Sequence, residues 1–152
     1  MNTITEHMST DHKQCDDIFA ALETDVTEGR WEAAERAMRE FAGAMRTHFA
    51  MEEEILFPAF EAATGNSMGP TVVMRSEHVQ MREILKELDD ALAQRAPADF
   101  AGIADTLNIM LQQHNMKEEG ILYPMTDRVL ANTREEVLDA MSKLAPCAEI
   151  NP

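Results

Sequence analysis

Two stretches of the sequence, HFAMEEEILFP from His48 to Pro58 and HNMKEEGILYP from His114 to Pro124, repeat one pattern 66 residues apart. Each reads His-x-x-x-Glu-Glu-x-Ile-Leu-aromatic-Pro. The same shift aligns, without a gap, His12, Gln14, Ile18 and Leu22 with His78, Gln80, Ile84 and Leu88. Each half of the chain therefore carries a His followed, 36 positions later, by His-x-x-x-Glu. A unit present in only two copies favours a closed pair of helical hairpins over a solenoid.

The composition also favours helices. The chain has 152 residues, of which 45% are hydrophobic, so it is long enough for one domain with a core. Aromatic residues make up only 5%, whereas Ala, Leu, Met, Glu and Arg are plentiful. These residues lose little conformational freedom in a helix. We therefore expect an all-α protein.

Apolar residues recur every three or four positions in four long segments, as one buried face of a helix requires. The segments run over about 9–28, 31–63, 70–94 and 98–131. Gly29 separates the first segment from the second, and the TGNSMGP loop separates the second from the third. Thr133 and Glu136 form a potential capping box for a short fifth helix to about residue 144. We predict an up-and-down four-helix bundle with a short C-terminal fifth helix over residues 1–144, followed by a tail over 145–152.

The charge of the chain excludes several classes of partner. Twenty-eight acidic residues against 13 basic ones give a formal net charge of −15. Nucleic acid and anionic membrane surfaces would repel such a chain. We also expect no membrane span, because no run approaches the roughly 18 apolar residues required, and no signal peptide. We predict a cytoplasmic protein, in which Cys15 and Cys147 form no disulfide, and the sequence names no protein partner.

The repeated histidines and glutamates predict a metal site. Residues i and i+4 of a helix lie about 5–6 Å apart, so His48 and Glu52 share a face, as do His114 and Glu118. If four helices present their repeated residues to a common interior, they form a set of four imidazoles and two carboxylates: His12, His48, His78, His114, Glu52 and Glu118. Six ligands are too many for a tetrahedral zinc site, whereas two ions sharing two bridging carboxylates would use them all. Iron is the first choice and manganese the second, with positions left for a bridging oxo or hydroxo group and for a small ligand.

On these residues the chain resembles the hemerythrin-like, or HHE cation-binding, domain from DHKQCD at Asp11 to Pro124. Family members are four-helix bundles that hold a non-haem di-iron centre. The resemblance implies that His12 and His48 ligate one iron and that His78 and His114 ligate the other. It also implies that Glu52 and Glu118 bridge the two irons.

One position departs from the oxygen-carrying hemerythrins. These proteins have a fifth His one turn before the one that matches His78, and this chain has Met74 there, a poor ligand for iron in a nitrogen and oxygen site. The resemblance therefore implies an extra coordination position, open or filled by water. The set of four His and two Glu is more similar to the bacterial branch linked to nitric oxide, peroxide or iron-centre repair.

We therefore expect a non-haem di-iron protein that binds or reacts with dioxygen, nitric oxide or peroxide, in sensing, detoxification or iron-centre repair. An alternative is an oxygen or iron binding and storage protein without turnover, and the sequence leaves open whether the protein is an enzyme. A helical bundle that acts through protein contacts alone is a further alternative. A ferritin-like di-iron oxygenase is disfavoured, because no His in the chain has Glu three residues before it.

Other residues near the motifs receive structural interpretations. We expect His7 to face away from the site and to be solvated, Cys15 to be a buried structural thiol, and Met74 to lie against the metals. The glutamates adjacent to the ligands, Glu53, Glu54 and Glu119, should face solvent. Pro58 and Pro124 should kink or end their helices, and an apolar floor beneath the site is predicted from Ile55, Leu56, Ile121 and Leu122.

Overall fold

Each copy of the repeat forms a pair of long helices. A computed structural model describes residues 2–144, and its helical segments are α1 (Ile4–Thr27), α2 (Trp31–Ala50), π1 (Met51–Leu56), α3 (Phe57–Thr64), α4 (Pro70–Ala93), α5 (Pro97–Lys117), π2 (Glu118–Leu122), α6 (Tyr123–Val129) and α7 (Arg134–Ser142). No strand occurs in this part of the chain. The all-α prediction is therefore confirmed. The predicted tail, with Cys147, lies outside the described residues, so that boundary stays a prediction.

The helices assemble into a bundle. Helix α1 packs along α2 and α4 packs along α5, and the two pairs meet where α1 contacts α5 and α2 contacts α4. Short connections hold each pair together, and Gly29 takes the left-handed conformation, with φ of 72°, that a residue with a side chain rarely adopts. No helix within residues 2–144 combines the length and the apolar character needed to cross a bilayer.

The N-terminal helix begins with a capping box that the sequence analysis overlooked. The side chain of Thr3 accepts a hydrogen bond from the backbone of Glu6, and the side chain of Glu6 accepts one from the backbone of Thr3. The capping box predicted at Thr133 is wrong, although α7 does begin there: Thr133 makes no side-chain capping bond. Its ψ of 9° lies far from the extended ψ of 165° that directs the Thr3 side chain over the first turn.

Both prolines of the repeat lie just after a π-helical segment. The N–H of Phe57 bonds to the carbonyl of Glu52, five residues earlier, and the N–H of Tyr123 bonds to that of Glu118. In a regular α-helix, Pro58 would lack a donor and would clash with the carbonyl four residues before it. The wider turn removes that conflict, and the helices continue to Thr64 and Val129 rather than ending soon after the site.

Two apolar clusters fill the interior, one on each side of the histidines. The first lies among α1, α2, α4 and α5 and includes the stacked rings of Phe19 and Phe41. The second contains Phe57 and Tyr123, with residues from α1, α4 and α7. On α1, His12 lies between Met8 of the second cluster and Cys15 of the first, and α4 has the same order, with His78 between Met74 and Met81. The polar groups of the site are therefore sealed from solvent at both ends.

The carboxylate of Asp127 holds the start of α1 against α6. It accepts hydrogen bonds from the backbone N–H groups of Ile4 and Thr5, at 2.8 and 3.0 Å, and from the Thr5 hydroxyl at 2.6 Å. Arg134 pairs with the same carboxylate at 3.2 Å. Asp127 therefore supplies the acceptors that the free N–H groups of this helix need.

We expect Asp127→Ala to lower the free energy of unfolding by about 2–3 kcal/mol, because several bonds to a charged acceptor are lost. Denaturant unfolding monitored by circular dichroism measures the change. Asp17→Ala is the matched control, since the Asp17 side chain is 71% exposed and pairs only loosely with Lys13. The control should stay within about 0.5 kcal/mol of the wild type, and equal effects of the two variants would contradict the anchoring role.

Candidate metal centre

The structure brings the six predicted ligands together in the middle of the bundle. All of them are buried, and none is more than 5% exposed. Their donor atoms form two groups in which all atoms lie within 4.8 Å of one another. One group contains His12, His48 and Glu118, and we call it subsite A. The other, subsite B, contains His78, His114, Glu52 and Glu118.

Each histidine comes from a different long helix, and each glutamate comes from a π-helical segment. His12 lies on α1, His48 on α2, His78 on α4 and His114 on α5. The backbone carbonyls of Glu52 and Glu118 accept the π-type bonds described above, so the backbone widens where the glutamates point inward. Local π-helical turns are frequently found at functional sites.

Every imidazole donates its Nδ1–H to a carboxylate outside the cluster, at 2.6 Å in all four cases. The pairs are His12 with Glu119, His48 with Asp11, His78 with Glu53, and His114 with Glu77. The expectation that Glu53 and Glu119 face solvent is therefore wrong, because their half-buried side chains reach across to the other half of the repeat. Only Glu54 is exposed as expected.

The sequence contained a signal for these outer carboxylates. Asp11 and Glu77 correspond under the shift of 66 positions, and so do Glu53 and Glu119. An acidic residue therefore stands beside a predicted ligand at the same place in both halves. The pairing itself depends on contacts between helices, which the periodicity of a single helix does not reveal.

The position of the Nδ1 protons leaves the Nε2 atoms as inward-facing lone pairs. The Nε2 atoms of His12 and His48 lie only 3.0 Å apart. With the imidazoles neutral, four buried atoms of subsite B have no hydrogen-bond partner: Nε2 of His78 and His114, Oε1 of Glu52 and Oε2 of Glu118. A buried cluster that consists of acceptors is unfavourable unless a cation lies among them, and neutral imidazole and carboxylate are the ligands that first-row metal ions accept. The donor set therefore fits a metal site.

Without a metal, the two central glutamates differ in their affinity for a proton. Burial and the neighbouring charge of Glu118 raise the pKa of Glu52 above its usual value. Burial acts on Glu118 in the same direction, but hydrogen bonds from Glu52, His114 and His12 outweigh it and hold the pKa of Glu118 well below its usual range. In the metal-free site a proton therefore binds more readily to Glu52 than to Glu118.

Subsite B has cationic residues behind its outer carboxylates. Arg82 donates two hydrogen bonds of 2.9 Å to Glu53, and Lys117 pairs with Glu77. Within residues 2–144, neither Asp11 nor Glu119 forms an ion pair with a Lys or Arg side chain. The outer carboxylates of subsite A therefore lack the cationic neighbours that those of subsite B have.

The sequence analysis also missed Tyr123. Its side chain is fully buried, and its hydroxyl lies 2.7 Å from Oε2 of Glu52 and 2.8 Å from Oε1 of Glu118. The hydroxyl can donate its proton to one of these oxygens at a time. The signal was the aromatic position of the repeat, which is Tyr in one copy and Phe57 in the other.

Some of the other residues interpreted from the sequence lie where we expected them, and others do not. His7 is half-buried and is in neither subsite. Cys15 is buried, as expected, and burial together with nearby acidic groups raises the pKa of its thiol to about 12, so the thiol stays protonated. Met74 is buried in the cluster that contains Tyr123. The predicted floor is only half correct, because Leu56 and Leu122 are buried while Ile121 is 61% exposed.

We expect metal-free protein to lose stability as the pH rises from about 6.5 to about 9. Burial lowers the pKa of His114, but the hydrogen bond and charge of Glu118 outweigh it and raise that pKa from 6.5 to about 9. The folded state therefore binds this proton more tightly than the unfolded state. The resulting stabilisation, up to about 3 kcal/mol, is complete below pH 6.5 and disappears as the pH passes 9.

Denaturant unfolding of chelator-treated protein across this pH range tests the expectation. His114→Gln should flatten the dependence, and His7→Gln, outside the cluster, should leave it unchanged. An unchanged slope in His114→Gln would show that another group is responsible.

Comparison with known proteins agrees with this geometry. The family model described as hemerythrin HHE cation binding domain matches residues 3–126, which is most of the chain. No curated protein and no solved structure matches the chain. The matched region contains all six residues of the two subsites. The chain therefore belongs to the hemerythrin HHE cation-binding domain family.

Proposed function

We propose that this protein is a non-haem di-iron protein that binds or reacts with small ligands such as dioxygen, nitric oxide or peroxide. The observation that carries the proposal is the convergence of four imidazole lone pairs and two glutamates in a buried interior. Nitrogen and oxygen donors in this number suit first-row ions that accept five or six ligands, and iron is the first choice.

The charges around the site support two ions. Two central and four outer carboxylates surround the cluster, and two of the outer ones are paired with cations. When all six are ionised, this leaves four negative charges in and around a buried site. Two divalent ions carry the same charge with opposite sign, and buried charge is tolerated when it is paired in this way.

The orientations of the two glutamates support a bridging role. Oε1 of Glu118 lies 3.1 Å from Nε2 of His12, and its Oε2 lies 3.1 Å from Nε2 of His114. Oε1 of Glu52 lies 3.0 Å from Nε2 of His78, while its Oε2 lies 2.7 Å from the Tyr123 hydroxyl, which in turn lies 3.2 Å from Nε2 of His12 in subsite A. Each carboxylate thus directs one oxygen to each subsite. In the proposed centre His12 and His48 would hold one iron, His78 and His114 would hold the other, and Glu52 and Glu118 would be shared between the two.

The surroundings suit a very small ligand. When bound, a pair of ferrous ions supplies two electrons to such a ligand. A cavity of about 10 Å³ beside His12, His48 and His114 is walled by Phe49 and Leu111 and is close to the size that one water molecule needs. The apolar walls exclude bulk water, and the outer carboxylates keep the imidazoles in the orientation and tautomer that a metal requires.

The arrangement that the proposal assumes is an up-and-down four-helix bundle. The three-residue connections from Thr27 to Trp31 and from Ala93 to Pro97 support it, because such short links join antiparallel neighbours. The cytoplasmic location and the expected lack of nucleic-acid and membrane partners stay predictions.

Removing either bridge should empty the site. We expect Glu52→Ala and Glu118→Ala to weaken metal binding at least as strongly as the ~10–100-fold loss that accompanies changes behind a ligand, and to lower the thermal midpoint of the iron-loaded protein. Mass spectrometry of metals in protein purified without chelators measures the first effect. Glu54→Ala is the matched control, because Glu54 lies in the same π-helical segment and is exposed.

About two irons per wild-type chain, retained by the control and lost by both bridge variants, is the expected result. Wild-type protein with a single zinc or without metal would refute the di-iron proposal. Unchanged iron in both bridge variants would refute the bridging role.

The reaction of the reduced iron protein with small ligands distinguishes the proposed function from oxygen or iron storage. We expect the reduced iron protein to be oxidised rapidly by dioxygen, or to turn over with nitric oxide or peroxide, because Met74 cannot fill the position of a fifth histidine. Stopped-flow absorption after anaerobic mixing follows each reaction, with Glu118→Ala as the metal-depleted control. A stable, reversible oxygen adduct without turnover would favour the storage alternative instead.

A further inference from the structure

The only tyrosine of the chain lies where the two copies of the repeat differ. Position 123 is Tyr, and its counterpart 66 residues earlier is Phe57. Each ring packs beside one imidazole: Tyr123 lies 5.7 Å from His12 and Phe57 lies 5.9 Å from His78, between ring centroids. The two subsites therefore meet equivalent rings, and only the ring at subsite A carries a hydroxyl.

The phenol oxygen of Tyr123 lies within 3.5 Å of four possible ligand atoms, one from each residue of subsite A and one from Glu52. It is 3.2 Å from Nε2 of His12 and 3.5 Å from Nε2 of His48. It is also 2.7 Å from Oε2 of Glu52 and 2.8 Å from Oε1 of Glu118. In an octahedral ion with bonds of about 2.1 Å, each ligand has four neighbours at about 3.0 Å. The tyrosine oxygen therefore has the spacing of a fifth ligand.

The geometry points to Tyr123 as a direct ligand, through its phenolate oxygen, of the iron held by His12 and His48. This inference rests on the di-iron centre proposed above and adds to it a ligand that makes the two subsites unequal. On binding, the phenol O–H bond breaks, the oxygen electron pair forms the bond to iron, and the proton leaves to solvent. Tyrosine oxygen is an established kind of iron ligand, as in the haem of catalase.

The charged residues around the two subsites also make subsite A the more negative one. Arg82 and Lys117 neutralise the outer carboxylates of subsite B. Under the shift of 66 positions, the corresponding residues are Asp16 and Met51, neither of which is a cation. Charged outer carboxylates make their imidazoles stronger electron donors, and a phenolate adds a further negative charge. Subsite A would therefore stabilise a bound ferric ion more than subsite B would.

Resonance Raman spectroscopy of the iron-loaded, air-oxidised protein tests the inference. A phenolate bound to ferric iron gives a visible charge-transfer band, and excitation in that band enhances the ring vibrations of the tyrosinate. Because Tyr123 is the only tyrosine, such vibrations have a single possible source. We expect them in the wild type and their complete loss in Tyr123→Phe.

Phe57→Leu is the matched control, because it alters the equivalent ring beside subsite B without touching a hydroxyl. It should keep the tyrosinate vibrations. The wild-type spectrum decides the question even where a variant folds poorly, since it requires no substitution.

The metal content of the same samples distinguishes a failure of the Tyr123 inference from a failure of the di-iron proposal. About two irons per wild-type chain without tyrosinate vibrations would overturn the ligand role of Tyr123 and leave the di-iron centre standing. Fewer than two irons in the wild type would overturn both.

Discussion

The position of one proton on each of four imidazoles determines the chemistry of this interior. Each Nδ1–H is donated to a carboxylate at 2.6 Å, so each Nε2 presents a lone pair to the centre. Two such lone pairs 3.0 Å apart, and four buried atoms without a hydrogen-bond partner, require a positive charge between them. The stability of the bundle and its affinity for metal are therefore linked. The same carboxylates orient the imidazoles and connect neighbouring helices.

Those carboxylates also connect the two copies of the repeat. Asp11 and Glu77 each bond to a histidine of their own half, whereas Glu53 and Glu119 each bond to a histidine of the other half. A displacement of either helical pair would break two of these bonds and separate the bridging glutamates. The site is in this way built on rigid elements from both halves, which is the arrangement that a precise metal geometry needs.

The duplication produces a symmetric set of ligands, and a few substitutions make it asymmetric. Tyr123 faces Glu52 and Glu118, whereas Phe57 has no polar atom to offer. Arg82 neutralises an outer carboxylate of subsite B, and the equivalent position in the other copy is Asp16. Two ions in such surroundings would differ in their preferred oxidation state, because ligand charge and the groups behind the ligands set that preference.

The sequence by itself determined the all-α fold, the helix ends at Gly29 and near Pro70, and which six residues would converge. It did so because helical periodicity and an ungapped repeat with rare histidines are local signals. Only the tertiary structure decided that Glu53 and Glu119 face inward, that the helices pass Pro58 and Pro124 through π-helical turns, and that the Tyr123 hydroxyl enters subsite A. The first and third outcomes depend on partners in other helices, such as His12, His78 and Glu52, which no pattern along a single helix contains. The π-helical turns depend on backbone bonds over five residues, which the spacing of the apolar residues does not reveal.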